Sequence, residues 1–352
     1  MNETDMFADA ARAVLADQCT PAVVRAIEAR GLQAPEARAL WAQLEATGLA
    51  DAMLDEAQGG AGLGLAQAFG VLEQCGAHAL PLPLGETMAA RALLARAGQP
   101  QSAQVIALAT GELLADGGVH CAMVRSAHAA GAVLVQAGSE CRLLAVAAAR
   151  SAAQAGALDA ALDWSAAQVR AAPQVPLPAG VDMRTLQAAI VAAQMAGALG
   201  SVFQRTLQYA NERRQFGRPI GKFQAIQHQL AVMSEQVFAA RMAAQLGGMP
   251  LGGTPLGGSS EGLQLDRLRV ATAKARCSEA ALAVAETAHA IHGAIGFTEE
   301  YDLQLYTRRL HAWRQAAGSE SYWQRVAGEA LLQHRGLTLD LLRRITDAEA
   351  AH

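Results

Sequence analysis

The 352-residue sequence predicts a mainly α-helical protein with a small β insert. Three observations carry that prediction. Hydrophobic residues make up 52% of the chain, and alanine, which favours helix over strand, supplies much of that share. Apolar residues recur with a period near 3.6 through the first and last portions. Between them, residues 101–178 exchange that period for short β-prone runs separated by glycine turns. The expected organisation is an N-terminal helical domain over 1–100, a small middle β domain over 101–178, and a C-terminal helical bundle over 179–352.

The elements follow in order. Phe7, Ala11, Val14 and Leu15 form one helical stripe, and Leu40, Leu44 and Leu49 another. The run Gln58-Gly-Gly-Ala-Gly-Leu-Gly-Leu then leads into a helix with Phe69, Val71 and Leu72. A glycine-rich loop before a helix can cradle phosphate, although a simple flexible turn is its commoner use. Pro81 and Pro83 break the pattern, and a helix over 84–97 stops at Gly98. In the insert, the β-prone runs start at Val105, Ala122, Ala132 and Leu143, separated by Asp116-Gly-Gly and Gly138-Ser-Glu turns, and suggest an all-β unit. Pro173, Pro176 and Pro178 close it. Helices resume at Met183, with Leu199, Val202, Phe203 and Leu207 on one face; Ile226, Leu230, Met233 and Val237 mark a second helix. Residues 247–262, rich in Gly, Pro and Ser, read as a linker. A long helix over 265–291 ends near Gly293, and two more follow around 302–312 and 321–334.

Composition narrows the function classes. Net charge is −4 with the two signs interspersed, so no basic face is offered to nucleic acid. The five cysteines are odd in number, widely spread and without metal-type spacing, which predicts reduced, buried thiols in a cytoplasmic protein. No apolar run reaches the roughly 20 residues needed to cross a bilayer, and the start Met-Asn-Glu-Thr-Asp-Met lacks the basic residues of a signal peptide.

The most informative stretch is Glu212-Arg-Arg-Gln-Phe-Gly-Arg-Pro-Ile-Gly-Lys, a polar turn between two apolar-periodic helices. Arg213 can pair bidentately with a pyrophosphate, Gln215 offers a donor and an acceptor, and Phe216 can support a planar ring. The same composition also suits a solvated helix–helix corner with an Arg–Glu pair. The stretch closely resembles the Arg-x-Gln-Phe-Gly signature of the acyl-CoA dehydrogenases, and Phe223-Gln224 continues the match. The three-part layout is likewise similar to that family's over nearly the whole chain. The resemblance implies an acyl-CoA dehydrogenase-like fold with a C-terminal four-helix bundle. It also implies that Arg213, Gln215, Phe216 and Gln224 contact the adenosine-diphosphate half of an FAD held by a neighbouring subunit.

A second match lies in His289-Ala-Ile-His-Gly-Ala-Ile-Gly-Phe. In the family, a glycine-rich turn here brings backbone to the flavin pyrophosphate, which implies such contacts from Gly293 and Ala294. Gly293, Gly296 and Phe297 match, whereas Ala290 stands in place of a glutamine and Ala294 in place of a common glycine. Glu286, His289 and His292 share one helix face, but no second Glu-x-x-His pair exists to complete a metal site. Packed or capping histidines and no metal are expected.

The third comparison is negative. The resemblance implies a carboxylate base followed by Gly-Thr, and counting through Gly293, Tyr306 and Arg308 places Ala317-Gly318-Ser319 there. The family's alternative base position falls near Gln187 and Ala188. Glu320 is the nearest acid to the first position, although beside Ser319 it also reads as a helix-start residue. The family's flavin-ring motifs are missing from the insert, which is short for the family; Trp164 fits neither motif and reads as a core or edge aromatic.

Three readings remain open. The chain is one subunit of a heteromeric acyl-CoA dehydrogenase, in which a second, homologous subunit supplies the base and the flavin cradle for an acyl-CoA of steroid side-chain or other bulky type. Alternatively it is a self-sufficient homo-oligomer with a relocated base, or a non-catalytic protein of the same fold.

Overall fold

The structure is a computed structural model that describes residues 3–153, 158–249 and 263–346. Helices α1 (Glu3–Gln18), α2 (Pro21–Arg30), α3 (Pro35–Ala46), α4 (Leu65–Ala77) and α5 (Leu84–Arg96) form the N-terminal part. Thr20 caps α2 by accepting from the Val23 amide, with Pro21 in the first turn where its missing N–H costs nothing. The glycine-rich loop before α4 consumes its own donors. Gly60 N–H bonds to Asp55, Gly62 N–H to Leu54, and Gly64 N–H to the Gln67 side chain. A phosphate would find those groups engaged, so the loop is a turn.

The insert is a six-stranded sheet built from β1 (Ile106–Leu113), β2 (Val119–Val124), β3 (Ala132–Ala137), β4 (Glu140–Ala145), β5 (Arg150–Ala153) and β6 (Ala160–Trp164). Its order is β4-β3-β1-β2-β6-β5, with β1 and β3 parallel and the other pairs antiparallel. β5 and β6 escape the sequence reading because Arg-Ser-Ala-Ala and Ala-Ala-Leu-Asp-Trp carry little β propensity; pairing of β6 with β2, and of β5 with β6, makes them strands. The insert is also not all β. A short helix, α6 (Ala166–Ala171), starts from a capping box formed by Ser165 and Gln168. Trp164 is buried and donates from Nε1 to the Ala145 carbonyl at 2.9 Å.

The C-terminal part contains α7 (Met183–Glu212), a hairpin of β7 (Arg214–Gln215) and β8 (Arg218–Pro219), α8 (Gln224–Gly247), α9 (Arg267–His292), α10 (Leu303–Gln315), α11 (Glu320–Gln333) and α12 (Thr338–Thr346). Helices α7, α8 and α9 pack against one another, α10 covers α7 and α9, and α11 lies on α9. Of the expected 247–262 linker, residues 250–262 lie outside the described residues, and α12 was not foreseen. By length and composition α7 could cross a membrane, contrary to the expectation from the sequence, but 78% of its most apolar window is buried inside the protein. Its apolar surface is used up by the core.

One hydrophobic core joins the N-terminal helices to the bundle through residues such as Ile27, Leu72, Leu93, Ile190, Val284 and Trp323. One face of the sheet adds Ile106, Leu108 and Leu134 to it, while Val119, Val133, Leu162 and Trp164 form a second core with α6 on the other face. Glycines set the crossing of α4 and α7. A Cβ on Gly76 would lie 1.7 Å from the Gln194 carbonyl oxygen, and one on Gly197 would lie 1.8 Å from that of Glu73. Only glycine allows backbones this close. The five cysteines are buried and unpaired, and burial pushes the Cys75 thiol up to about 12.

Candidate functional site

The polypeptide between α10 and α11 makes a sharp corner. Ala317 has φ +55° and Gly318 φ +106°, a left-handed pair that costs alanine energy unless its surroundings impose it. Those surroundings are explicit. Trp323 Nε1 donates to the Ala317 carbonyl at 3.0 Å, and Lys274 Nζ reaches the carbonyls of Arg314 at 2.9 Å and Gly318 at 3.0 Å. Lys274 is fully buried on α9, and burial pushes its amine down to about 7. Nζ also donates to Ser278 Oγ, 3.1 Å away.

The two positions at which the family resemblance implies a base come together in space. Ala317 and Gln187 line one cavity of about 270 Å³, with Thr110 and His120 from the sheet and Arg184 from α7. Neither position can act as the base. The Gln187 amide donates to the Leu108 carbonyl at 2.6 Å, and Arg184 lies over the Tyr322 ring while its guanidinium reaches Thr110 Oγ1. Glu320 is the first residue of α11, with Ser319 as its N-cap, and does not line the cavity. It is hydrogen-bonded and ion-paired to Arg314. Burial alone would raise its carboxyl, but the Arg314 hydrogen bond, helped by nearby positive charge, holds it below the usual range. Its carboxylate is thus committed to a structural contact.

A larger cavity of about 520 Å³ adjoins this one and shares Met123, Arg125 and Gln315 with it. Leu80, Leu158 and Trp313 make much of its wall apolar. Arg125 is buried, pairs with Glu86 of α5, and donates to Gln194 Oε1 at 2.7 Å. Burial pushes this guanidinium down to about 10.

The Arg213 turn has the opposite character. It is a tight hairpin whose two central residues, Phe216 and Gly217, have φ +49° and φ +80°, as hairpins with right-handed strand twist require. Phe216 is 92% exposed, with only an edge contact to Phe223 at 6.1 Å between ring centroids. Arg218 stacks over that same Phe223 ring at 4.2 Å. Among the described residues, the side chains of Arg213, Gln215 and Gln224 make no hydrogen bond, and the Glu212 carboxylate accepts from Gln208 rather than pairing with Arg213. These groups point outward without internal partners.

The turn after α9 is also open. Gly293 has φ +65°, and a Cβ there would meet nothing within 4 Å. Ala294 is exposed beside it, and Phe297, 70% exposed, stacks on His289 at 4.3 Å. His289 Nε2 meets Thr307 Oγ1, while His292 is buried, donates from Nδ1 to the Ala288 carbonyl and stacks on Tyr209. Burial pushes both rings below the ordinary histidine range. Both are packing residues. Among the described residues no group of three His, Cys, Asp or Glu converges on a metal-sized space.

Sequence reasoning missed His120, Glu112 and Arg184 at the cavity. Period-2 alternation around His120, between buried Val119 and Cys121, was the available signal, but its partner strand β6 was not recognised.

Comparison with known proteins agrees with this architecture. Family models for the acyl-CoA dehydrogenase N-terminal and C-terminal domains match residues 1–112 and 181–332. The acyl-CoA dehydrogenase IpdE2 of Mycobacterium tuberculosis is 31% identical over 328 residues, covering 89% of this chain and 92% of that protein. A solved variant of the Tcur3481-Tcur3483 steroid ACAD superposes with a TM-score of 0.76 at 25% identity, covering 94% of this chain and 98% of that one. The ChsE4-ChsE5 complex from Mycobacterium tuberculosis gives a TM-score of 0.77 at 23% identity, over 96% and 99% of the two chains. A left-handed corner where a base would sit, an outward arginine hairpin and a helical fold split by a small sheet thus belong to a known lineage: this chain is a member of the acyl-CoA dehydrogenase family of oxidoreductases.

Proposed function

We propose that this chain is the subunit without the family's carboxylate base in a flavin-dependent acyl-CoA dehydrogenase, active in a complex with a second, homologous subunit. The observation that carries the reading is a contrast within one chain. Ala317 and Gln187, where the family resemblance implies a base at the first and near the second, share a cavity, yet neither bears a carboxylate, and Glu320 is held by Arg314. The outward groups expected to touch FAD, meanwhile, lack internal partners.

The residues present suit the outer half of FAD. Arg213 supplies a fixed positive fork for the pyrophosphate, Gln215 and Gln224 supply donors and acceptors, and Phe216 supplies an exposed ring. The open space beside Gly293 lets a ligand approach its backbone and that of Ala294. When bound, FAD supplies the hydride acceptor for α,β-desaturation of the thioester. This chain's part is to hold and orient its outer end, while the partner's carboxylate takes the α-proton. The steroid ACAD among the structural relatives supports a bulky acyl-CoA, including a steroid side-chain thioester, as substrate. Five unpaired thiols fit a reducing, cytoplasmic setting.

Co-expression with a homologous, carboxylate-bearing acyl-CoA dehydrogenase subunit is expected to give a yellow complex that bleaches with acyl-CoA. A colourless mixture without stable association would overturn the reading. Stoichiometric FAD and acceptor reduction by the chain alone would instead establish a self-sufficient enzyme, and no bleaching by either preparation a non-catalytic protein.

A further inference from the structure

The sheet carries a polar row that neither the family resemblance nor the proposed function uses. Glu112 of β1 lies opposite His120 of β2, His120 lies opposite Asp163 of β6, and Asp163 lies opposite Arg150 of β5. Residues directly opposite on neighbouring strands point to the same face, so four charged or titratable side chains cross the sheet in one line. Arg150, at its outer end, is 87% exposed, while His120 and Glu112 at the inner end line the cavity that holds Ala317.

The contacts along the row fix the orientation of the imidazole. Asp163 Oδ1 lies 2.7 Å from His120 Nδ1, and Asp163 Oδ2 lies 3.4 Å from the Arg150 guanidinium. The His120 hydrogen bond, with further help from Arg150, holds the Asp163 carboxyl below its usual range. A carboxylate only accepts, so the imidazole donates from Nδ1, and Nε2 is the ring nitrogen left to meet another partner. Among the described residues Nε2 has no hydrogen-bond partner. The ring is about one-third exposed, as befits a group at a cavity wall.

We infer that His120, oriented by Asp163, is a proton acceptor in this chain's own cavity and can remove the α-proton of an acyl thioester. The α C–H bond breaks, the proton passes to Nε2, and the electron pair moves onto the thioester oxygen as an enolate. Arg184, in the cavity wall, offsets the charge on that oxygen. Return of the proton restores the thioester, so the step is a reversible exchange that needs no oxidant. The inference uses the acyl-thioester substrate class proposed above and nothing of the partner, and its failure is read separately from that of the complex.

The test is solvent exchange. The full-length chain purified alone is incubated with butyryl-CoA in D2O without added flavin, and α-deuteration is followed by mass spectrometry. Wild type is expected to exchange well above the buffer rate. His120→Gln is expected to lower the rate at least about tenfold with an unchanged melting temperature. Asp163→Asn keeps the side-chain shape but removes the carboxylate that orients the ring, so kcat for exchange is expected to fall with KM and melting temperature unchanged. Glu112 of β1 also lies opposite His120, so the measurement is repeated in Glu112→Gln. Exchange at the buffer rate in wild type, exchange retained in His120→Gln, or exchange lost only in Glu112→Gln would each overturn the assignment.

Discussion

The Ala317 corner and the Phe216 hairpin both hold a non-glycine residue at positive φ, but they are built by opposite means. Buried groups impose the corner: Lys274 and Trp323 satisfy its carbonyls, and Ser319 starts the next helix. Solvent surrounds the hairpin, whose aromatic tip touches only Phe223. Strain held by packing stabilises a shape, whereas strain left at an exposed tip is sustained only if something outside the chain uses it. On the function proposed above, the first region marks an implied base position without a carboxylate, and the second offers contacts to a flavin shared with a partner.

This contrast can be broken most forcefully at Lys274. Lys274→Met leaves the Arg314 and Gly318 carbonyls unpaired, and two buried orphan acceptors are expected to cost about 3 kcal/mol in denaturant unfolding. The pH dependence sharpens the point. With a folded value of about 7 against an unfolded value near ~10.4, the unfolded chain binds the extra proton between those limits. Stability therefore rises with pH above about 7, by on the order of 2 kcal/mol up to pH 9. That rise should vanish in Lys274→Met; a wild-type curve that is flat or falls over that range would refute the buried neutral amine.

At the hairpin the effects should fall on binding instead. Arg213→Ala is expected to leave unfolding within about 0.5 kcal/mol of wild type. In the complex it should lower flavin retention about tenfold or more, as loss of a charge-assisted pair implies. Equal loss of fold stability and flavin would mean that Arg213 is merely structural. The smallest effect is expected at Phe216→Gly. Glycine adopts the positive φ freely, so stability should change by less than about 1 kcal/mol while association with the partner weakens. Analytical ultracentrifugation of the two subunits would show it.

The sequence revealed helices wherever burial follows a strict period, as at Leu230, Met233 and Val237, because side-chain spacing there reports directly on packing. It also revealed the outward hairpin, since Gly217 and Pro219 punctuate the chain locally. Alanine-rich β6 was hidden, because only its pairing to β2 distinguishes it from helix. With β6 hidden, so was the His120–Asp163 pair, whose members lie 43 positions apart. The roles of Lys274 and Gln187 depend on which carbonyl each amine or amide reaches, and no spacing rule encodes that.

The crossing of α4 and α7 has a consequence for how a bulky acyl chain gets in. With Gly76 and Gly197 pressed backbone to backbone, those helices act as a fixed axle, and sliding either one would drive it into the other. The sheet is joined to that axle through one face only and keeps a core of its own on the other. The sheet meets the helices through β1, which packs on α5 and α7, so a change in the cavity's width is resisted less on the sheet side than at the α4–α7 crossing.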